Sequence, residues 1–311
     1  MALESPRVSV CLLAYNHAAL IEDSIRSVLA QDETDFELII SDDCSRDNTW
    51  EVLQRIAATD PRVKPIRPTH NLGMAGNANF AVKHAKAPYI ALLHHDDIYD
   101  PSLLRKWVGL AERHPNVAFV SNNYGFHGST QVDRHPFPEV TPGRIALEKH
   151  FFPTWGFPIR GTALIRRASW EEVGGIREQF GLLADIDLWM RLARTWDVGY
   201  VNEPLIFVRQ DRPEDYPAEY TKWSWKRFRT LYEIHGTNID EYYGNTLRGF
   251  WEREKFRLRV SYDEMYWLAY GVFKRRADVL RSSDEVANRF ERRPVRWARK
   301  TLRSAELLFR A

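Results

Sequence analysis

Four short apolar runs constrain this chain more than any other feature. RVSVCLLAY (7–15), FELIISDD (36–43), PYIALL (88–93) and VAFVSNNY (117–124) are nearly continuous in hydrophobic character. A strand with one wet face alternates polar and apolar residues, whereas runs like these require cover on both faces. Between them, ALIEDSIRSVLAQ carries Leu20, Ile21, Ile25, Val28 and Leu29 at helical spacing, and NTWEVLQRIAA and AGNANFAVKHAKA read as two further helices. RVKPIRP is a weaker strand, and Asp100 followed by Pro101 marks another helix start. Alternation of this kind predicts βαβ units and a mostly parallel sheet flanked by helices. Right-handed crossovers then bring the C-terminal strand ends to one edge, outside which ligands bind.

The residues that follow each run are polar or acidic: AYN after the first, SDDCS after the second, HHDD after PYIALL. Carboxylates gathered on one edge repel unless something positive lies between them. A divalent cation with hard oxygen ligands, Mg²⁺ or Mn²⁺, answers that need and completes its shell with phosphate oxygens. It would suit a substrate whose leaving group is a diphosphate. A plainer reading of HHDD stands beside this one, with Asp96 and Asp97 capping a turn and the histidines packed beneath.

From 125 to about 160 the pattern dissolves into turns and aromatics, including HFFPTWGFPIRG. Irregular segments of that length inside a compact unit are usually functional or mobile. TALIRRASWEEVGG then reads as a strand and a short helix ending at Gly174 and Gly175. DIDLWMRLART is a helix with Asp185 and Asp187 in its first turn, and VGYVNEPLIFVR a closing strand or hairpin. After about residue 211 the chain is helical, aromatic and basic without strand signals, so residues 1–210 form one expected domain and 211–311 a helical C-terminal extension.

A net charge of +2 gives no global argument for nucleic acid. Cys11 and Cys44 lie far apart, which fits a reducing compartment and neither a disulfide framework nor a zinc site. MALESPRVSV lacks the charged start and apolar stretch of a signal peptide, and no apolar run approaches the ~20 residues needed to cross a bilayer. The expected location is cytoplasmic. The last segment, RRPVRWARKTLRSAELLFRA, sets Val295, Ala298, Leu302, Ala305 and Leu308 on one helical face amid arginines. Such a helix can lie on an anionic inner-membrane surface or pack on its own domain, and the C-terminal helices can equally form a homodimer.

LLAYN, ISDDCSRDNT, LLHHDDIYDP and GLLADIDLWMRLA, in this order and at these intervals, resemble a family 2 glycosyltransferase with the GT-A fold, over roughly residues 7 to 210. The resemblance implies that Ala14, Tyr15 and Asn16 form the loop against the nucleotide base, with Tyr15 available to stack. It gives Asp42, with Asp43 as a second candidate, the acid that bonds base and ribose. His94 to Asp97 fall on the family's metal motif, and His94 occupies a first position that is usually acidic. There it is expected to contact the nucleotide or join the metal shell. Asp96 is the expected ligand of Mn²⁺ or Mg²⁺, with Asp97 beside it and His95 a further candidate. Asp185 matches the family's general base, while Ala184 stands where the family has glutamate. Trp155 is a candidate sugar platform. Asp187 is a candidate acceptor contact, or alternatively a structural acid.

Two further departures matter. The Arg-x-His late in the family's last strand is absent, since Arg209 is followed by Gln210 and Asp211. The Gln-x-x-Arg-Trp of processive synthases is absent as well. The implied activity is metal-dependent, inverting transfer of single sugars from a nucleoside-diphosphate donor to a saccharide or lipid-linked saccharide acceptor, in surface polysaccharide or glycolipid synthesis. Two alternatives remain at this point. One is a nucleotide-sugar-binding scaffold without turnover. The other is a sugar nucleotidyltransferase, which the lack of a Gly- and Arg-rich loop after the first strand disfavours.

Overall fold

The first four long strands of the chain, β1 (Val8–Ala14), β2 (Phe36–Asp42), β3 (Val63–Ile66) and β4 (Tyr89–His94), form a parallel block in the order β3-β2-β1-β4. β1 lies inside it and is buried along its whole length, as its unbroken apolar run requires. The computed structural model describes residues 5–135, 137–154, 159–210 and 225–273. The chain divides into two units, Met1–Glu214 and Asp215–Ala311.

Past β4 the sheet departs from the parallel pattern. β5 (Ile98–Tyr99), β6 (Val117–Phe126), β7 (Val132–Asp133), β8 (Val140–Thr141), β9 (Ala163–Arg166) and β10 (Asp197–Val208) complete a ten-stranded sheet. β9 inserts between β4 and β6 and runs antiparallel to both. β6 therefore points the same way as β4 without touching it, and β10 joins β6 in parallel with register shifts between Val201 and Ile206. The closing strand is thus one long bulged strand rather than a hairpin, and the sheet is mixed. The reversal of β9 has a direct consequence: its beginning, not its end, lies at the edge where β1, β2 and β4 finish.

Helices α1 (Ile21–Leu29), α2 (Thr49–Ala57), α3 (Gly73–His84), α4 (Leu103–Arg113), α5 (Gly143–Ile145), α6 (Arg167–Val173) and α7 (Ala184–Leu192) flank the sheet. α5 runs into a π-helical turn, and a 3₁₀ segment, Glu178–Leu183, leads into α7. α1 buries Ile21, Ile25 and Val28, the spacing its sequence announced. On another face Phe119 of β6 stacks on Trp189 of α7, ring centroids 4.8 Å apart, both fully buried. Burying a side chain of this size contributes roughly 1.5–3 kcal/mol, so α7 is fixed to the sheet by its interior face while its N-terminus reaches the binding edge.

The second unit contains α8 (Trp225–Tyr243) and α9 (Leu247–Phe273), which pack through Tyr232, Ile234, His235, Phe256 and Val260. His235 stacks on Phe256 with an interplanar angle of 4°. Among the described residues no helix is long and apolar enough to cross a membrane. The amphipathic segment from Val295 to Leu308 and the sequence candidate Trp155 both lie outside the described residues.

Candidate active site

The end of β4 and the turn after it supply the central group. His94, Asp96 and Asp97 each offer a ligand atom, all within 4.8 Å of one another. Both carboxylates are buried, Asp97 completely. Two carboxylates this close out of water repel unless a positive group lies among them, and two hard oxygens with one imidazole nitrogen form a donor set that suits a divalent ion such as Mn²⁺. The donor set thus fits the divalent ion that the sequence suggested. Arg160 lies at its rim, with a guanidinium nitrogen 3.7 Å from Asp97 Oδ2 and the group stacked 5.1 Å over the Tyr124 ring.

His95 takes no part in this group. Its Nδ1 lies 2.6 Å from the Leu13 carbonyl, and its Nε2 meets Nδ1 of His17. The ring therefore reaches under the β1 loop. Burial pushes its pKa down to about 4, so it is neutral and its Nδ1–H donates to the Leu13 carbonyl. His95 lies outside the His94–Asp96–Asp97 group and links the turn after β4 to the loop after β1. His17 in turn lies 2.8 Å from the Tyr15 carbonyl and donates its backbone N–H to Thr49.

Ala14, Tyr15 and Asn16 line the same edge one strand over. Asn16 sits at φ 53°, and Cys44, after β2, at φ 59°. Both are non-glycine residues in left-handed backbone, a strained conformation that the surrounding bonds must hold. Asn16 donates its backbone N–H to Ser45 and accepts from the Arg46 backbone N–H, each at 2.8 Å, which ties the β1 and β2 loops together. Asp42 is fully buried and accepts from both Nε and a terminal nitrogen of Arg67, the former at 2.7 Å, and from the Ser45 hydroxyl. Arg67 itself stacks 4.5 Å over Trp50. Asp43 accepts from the Leu72 backbone N–H at 2.7 Å, yet its burial dominates and raises its pKa.

Asp185 and His94 meet across a glycine. A side-chain carbon on Gly161 would lie 3.0 Å from Nε2 of His94 and 3.1 Å from Oδ2 of Asp185. These two groups, from β4 and from the first turn of α7, therefore flank one point just ahead of β9. Any side chain at residue 161 would crowd both groups, so only glycine leaves this approach unobstructed. Asp187, two residues on, belongs elsewhere. It is fully buried and accepts from Arg191 Nε at 2.7 Å, and Arg191 donates onward to the carbonyls of Val173 and Gly175. Its burial and its bond to Arg191 favour the second of the two duties the sequence offered for it, a structural acid of α7.

Four residues of the site escaped the sequence reading. Arg67 and His17 sit in segments with no motif of their own. Arg160 and Gly161 lie inside the quoted HFFPTWGFPIRG, where the aromatics drew attention. Only the reversed direction of β9 brings that segment to the edge.

The model of the family described as Glycosyl transferase family 2 matches residues 9–174, more than half of the chain. EpsE of Bacillus subtilis is 31% identical over 216 residues, covering 66% of this chain and 74% of that one. In other curated relatives the match is a small part of a longer protein, 20% of its length. Among solved structures, S. aureus TarS 1–349 in complex with UDP-GlcNAc has a TM-score of 0.64 at 16% identity, covering 92% of this chain and 93% of that one. The mannosyltransferase PcManGT from Pyrobaculum calidifontis, in complex with GDP-Man and Mn²⁺, has a TM-score of 0.59 at 19% identity, covering 98% and 87%. At these identities the two structures share the fold of this chain.

Proposed function

The chain belongs to glycosyl transferase family 2, and on that premise we propose that it transfers a sugar, with inversion, from a nucleoside-diphosphate donor to a hydroxyl of a saccharide or lipid-linked saccharide. Donor complexes with UDP-GlcNAc and GDP-Man in proteins of the same fold support the donor class. The observation that carries the reading is that His94, a member of the His94–Asp96–Asp97 group, and the Asp185 carboxylate of α7 flank Gly161 together.

In this reading Tyr15, Asn16 and Asp42 hold the nucleoside, with Arg67 fixing the orientation of the Asp42 carboxylate. Asp96, Asp97 and His94 hold a divalent cation, Mn²⁺ or Mg²⁺, which when bound neutralises charge on the leaving diphosphate. Asp185 takes the proton from the acceptor hydroxyl as it attacks the anomeric carbon from the face opposite the nucleotide. A single base and a single displacement invert the anomeric configuration. Arg160, beside Asp97, is positioned to share the diphosphate charge as the bond breaks.

Calorimetric titration of UDP, GDP, dTDP and CDP, each with and without Mn²⁺, tests the donor site. One nucleotide binding in a metal-dependent manner is expected, with that dependence lost in Asp96→Ala. Asp185→Ala should bind the same nucleotide and transfer no sugar. No binding of any nucleotide by folded protein would leave a non-catalytic scaffold as the better account.

A further inference from the structure

α9 is apolar on two opposite faces. One face packs on α8 through Gly249, Phe256 and Val260, all buried. At 3.6 residues per turn the opposite face carries Leu247, Trp251, Leu258, Tyr262, Met265 and Tyr266, which are between 41% and 76% exposed. Seven of the eight exposed large hydrophobic side chains among the described residues lie on this helix. The stripe runs for about 28 Å at ~1.5 Å per residue. An amphipathic helix of a monomer buries one face, and a second apolar face marks a contact surface.

The charges beside the stripe pair within the helix, Glu254 with Arg257 and Glu252 with Lys255, and their order also complements a second copy. Arg248, Glu252 and Glu254 mirror Asp263, Arg259 and Arg257 about a point midway between Lys255 and Phe256. In each mirrored pair the signs are opposite. A two-fold axis through that point would set two copies of α9 antiparallel, with Arg248 against Asp263, Glu252 against Arg259 and Glu254 against Arg257, each pair occurring twice. We propose that this face of α9 is the seam of an antiparallel homodimer, an inference independent of the transfer chemistry. The large side chains of the stripe, at ~150–250 Å² for each aromatic, would bury on the order of 700 Å² per copy, close to the ~800 Å² per partner of stable interfaces. A membrane surface suits the stripe less well. Lipid-binding helices carry uniformly basic flanks, whereas here acids and bases alternate about a centre.

The test is sedimentation of the full chain across a concentration series, with variants on the exposed face that leave the α8 contact alone. Wild-type protein should reach twice the 36.5 kDa mass of one chain. Tyr262→Glu should leave monomer. Arg257→Glu sets Glu254 against a glutamate and should weaken the dimer roughly tenfold. Mixing equal amounts of Glu254→Arg and Arg257→Glu chains restores both pairs across the axis and neither within a helix, and a doubly exchanged chain restores both, so each should return to within about threefold of wild type. Helical circular dichroism confirms in each case that the unit remains folded. A wild-type monomer throughout the series would overturn the proposal. So would a double exchange as weak as Arg257→Glu, or monomeric wild type that pellets with phosphatidylglycerol vesicles through the same stripe.

Discussion

Two aspartates two residues apart on α7, Asp185 and Asp187, are assigned opposite duties, and replacing each with asparagine separates them. Asp187 is fully buried against Arg191, whose side chain is 4% exposed and whose other donors are committed to the Val173 and Gly175 carbonyls. Those carbonyl bonds prevent the guanidinium from swinging out to water, so Asp187→Asn strands a buried cation. Burial already lowers the pKa of Arg191 against the pull of Asp187. Breaking a buried pair by removing one partner costs about 3–5 kcal/mol. In a unit of this size each kcal/mol lowers Tm by ~2–4 °C, so a fall of roughly 10 °C is expected. Asp185 is half-buried in the first turn of α7, where a charge at a helix N-terminus contributes ~0.3–1 kcal/mol, and asparagine keeps the shape and hydrogen-bonding capacity of the side chain. The Tm of that variant should move by no more than about 3 °C, while transfer falls by roughly 10²–10⁴. Differential scanning fluorimetry and a nucleotide-release assay on the two variants read both quantities. If Asp187→Asn melted with wild type, or Asp185→Asn kept wild-type turnover, the division of labour argued from burial would be wrong.

Gly161→Ala places a methyl group 3.0 Å from His94 Nε2 and 3.1 Å from Asp185 Oδ2, so turnover should fall at least about tenfold with nucleotide affinity unchanged by calorimetry. His94→Asp replaces the nitrogen of the donor set with a third carboxylate, and isothermal titration with UDP and each ion should show the preference for Mn²⁺ over Mg²⁺ shrink. Burial lowers the pKa of His235 to about 3, below its ordinary value of 6.5. The unfolded chain therefore binds a proton that the folded one refuses between those values, and stability present above pH 6.5 declines as pH falls toward 3. His235→Leu should flatten that part of the acid melting curve, followed by helical ellipticity.

Much of this protein is set by local pattern. Uninterrupted apolar runs such as VSVCLLA must be covered on both faces, and the handedness of crossovers then gathers Ala14, Asp42 and His94 on one edge before any contact is known. The metal-motif acids and Asp185 were legible for the same reason, since they follow strand ends or open a helix. What sequence could not decide is direction and partnership across long separations. The four-residue strand ALIR reads the same forwards or backwards, and only its pairing with β4 and β6 turns it antiparallel and delivers Arg160 and Gly161 to the site. Likewise two histidines and two aspartates in HHDD are chemically equivalent candidates until the β1 carbonyl of Leu13 claims one ring. Asp185 and Asp187 differ by a rotation of about 200° around α7. That rotation alone turns one toward the open edge and the other into the interior with Arg191, because a helix fixed by Trp189 against Phe119 presents each residue to one environment.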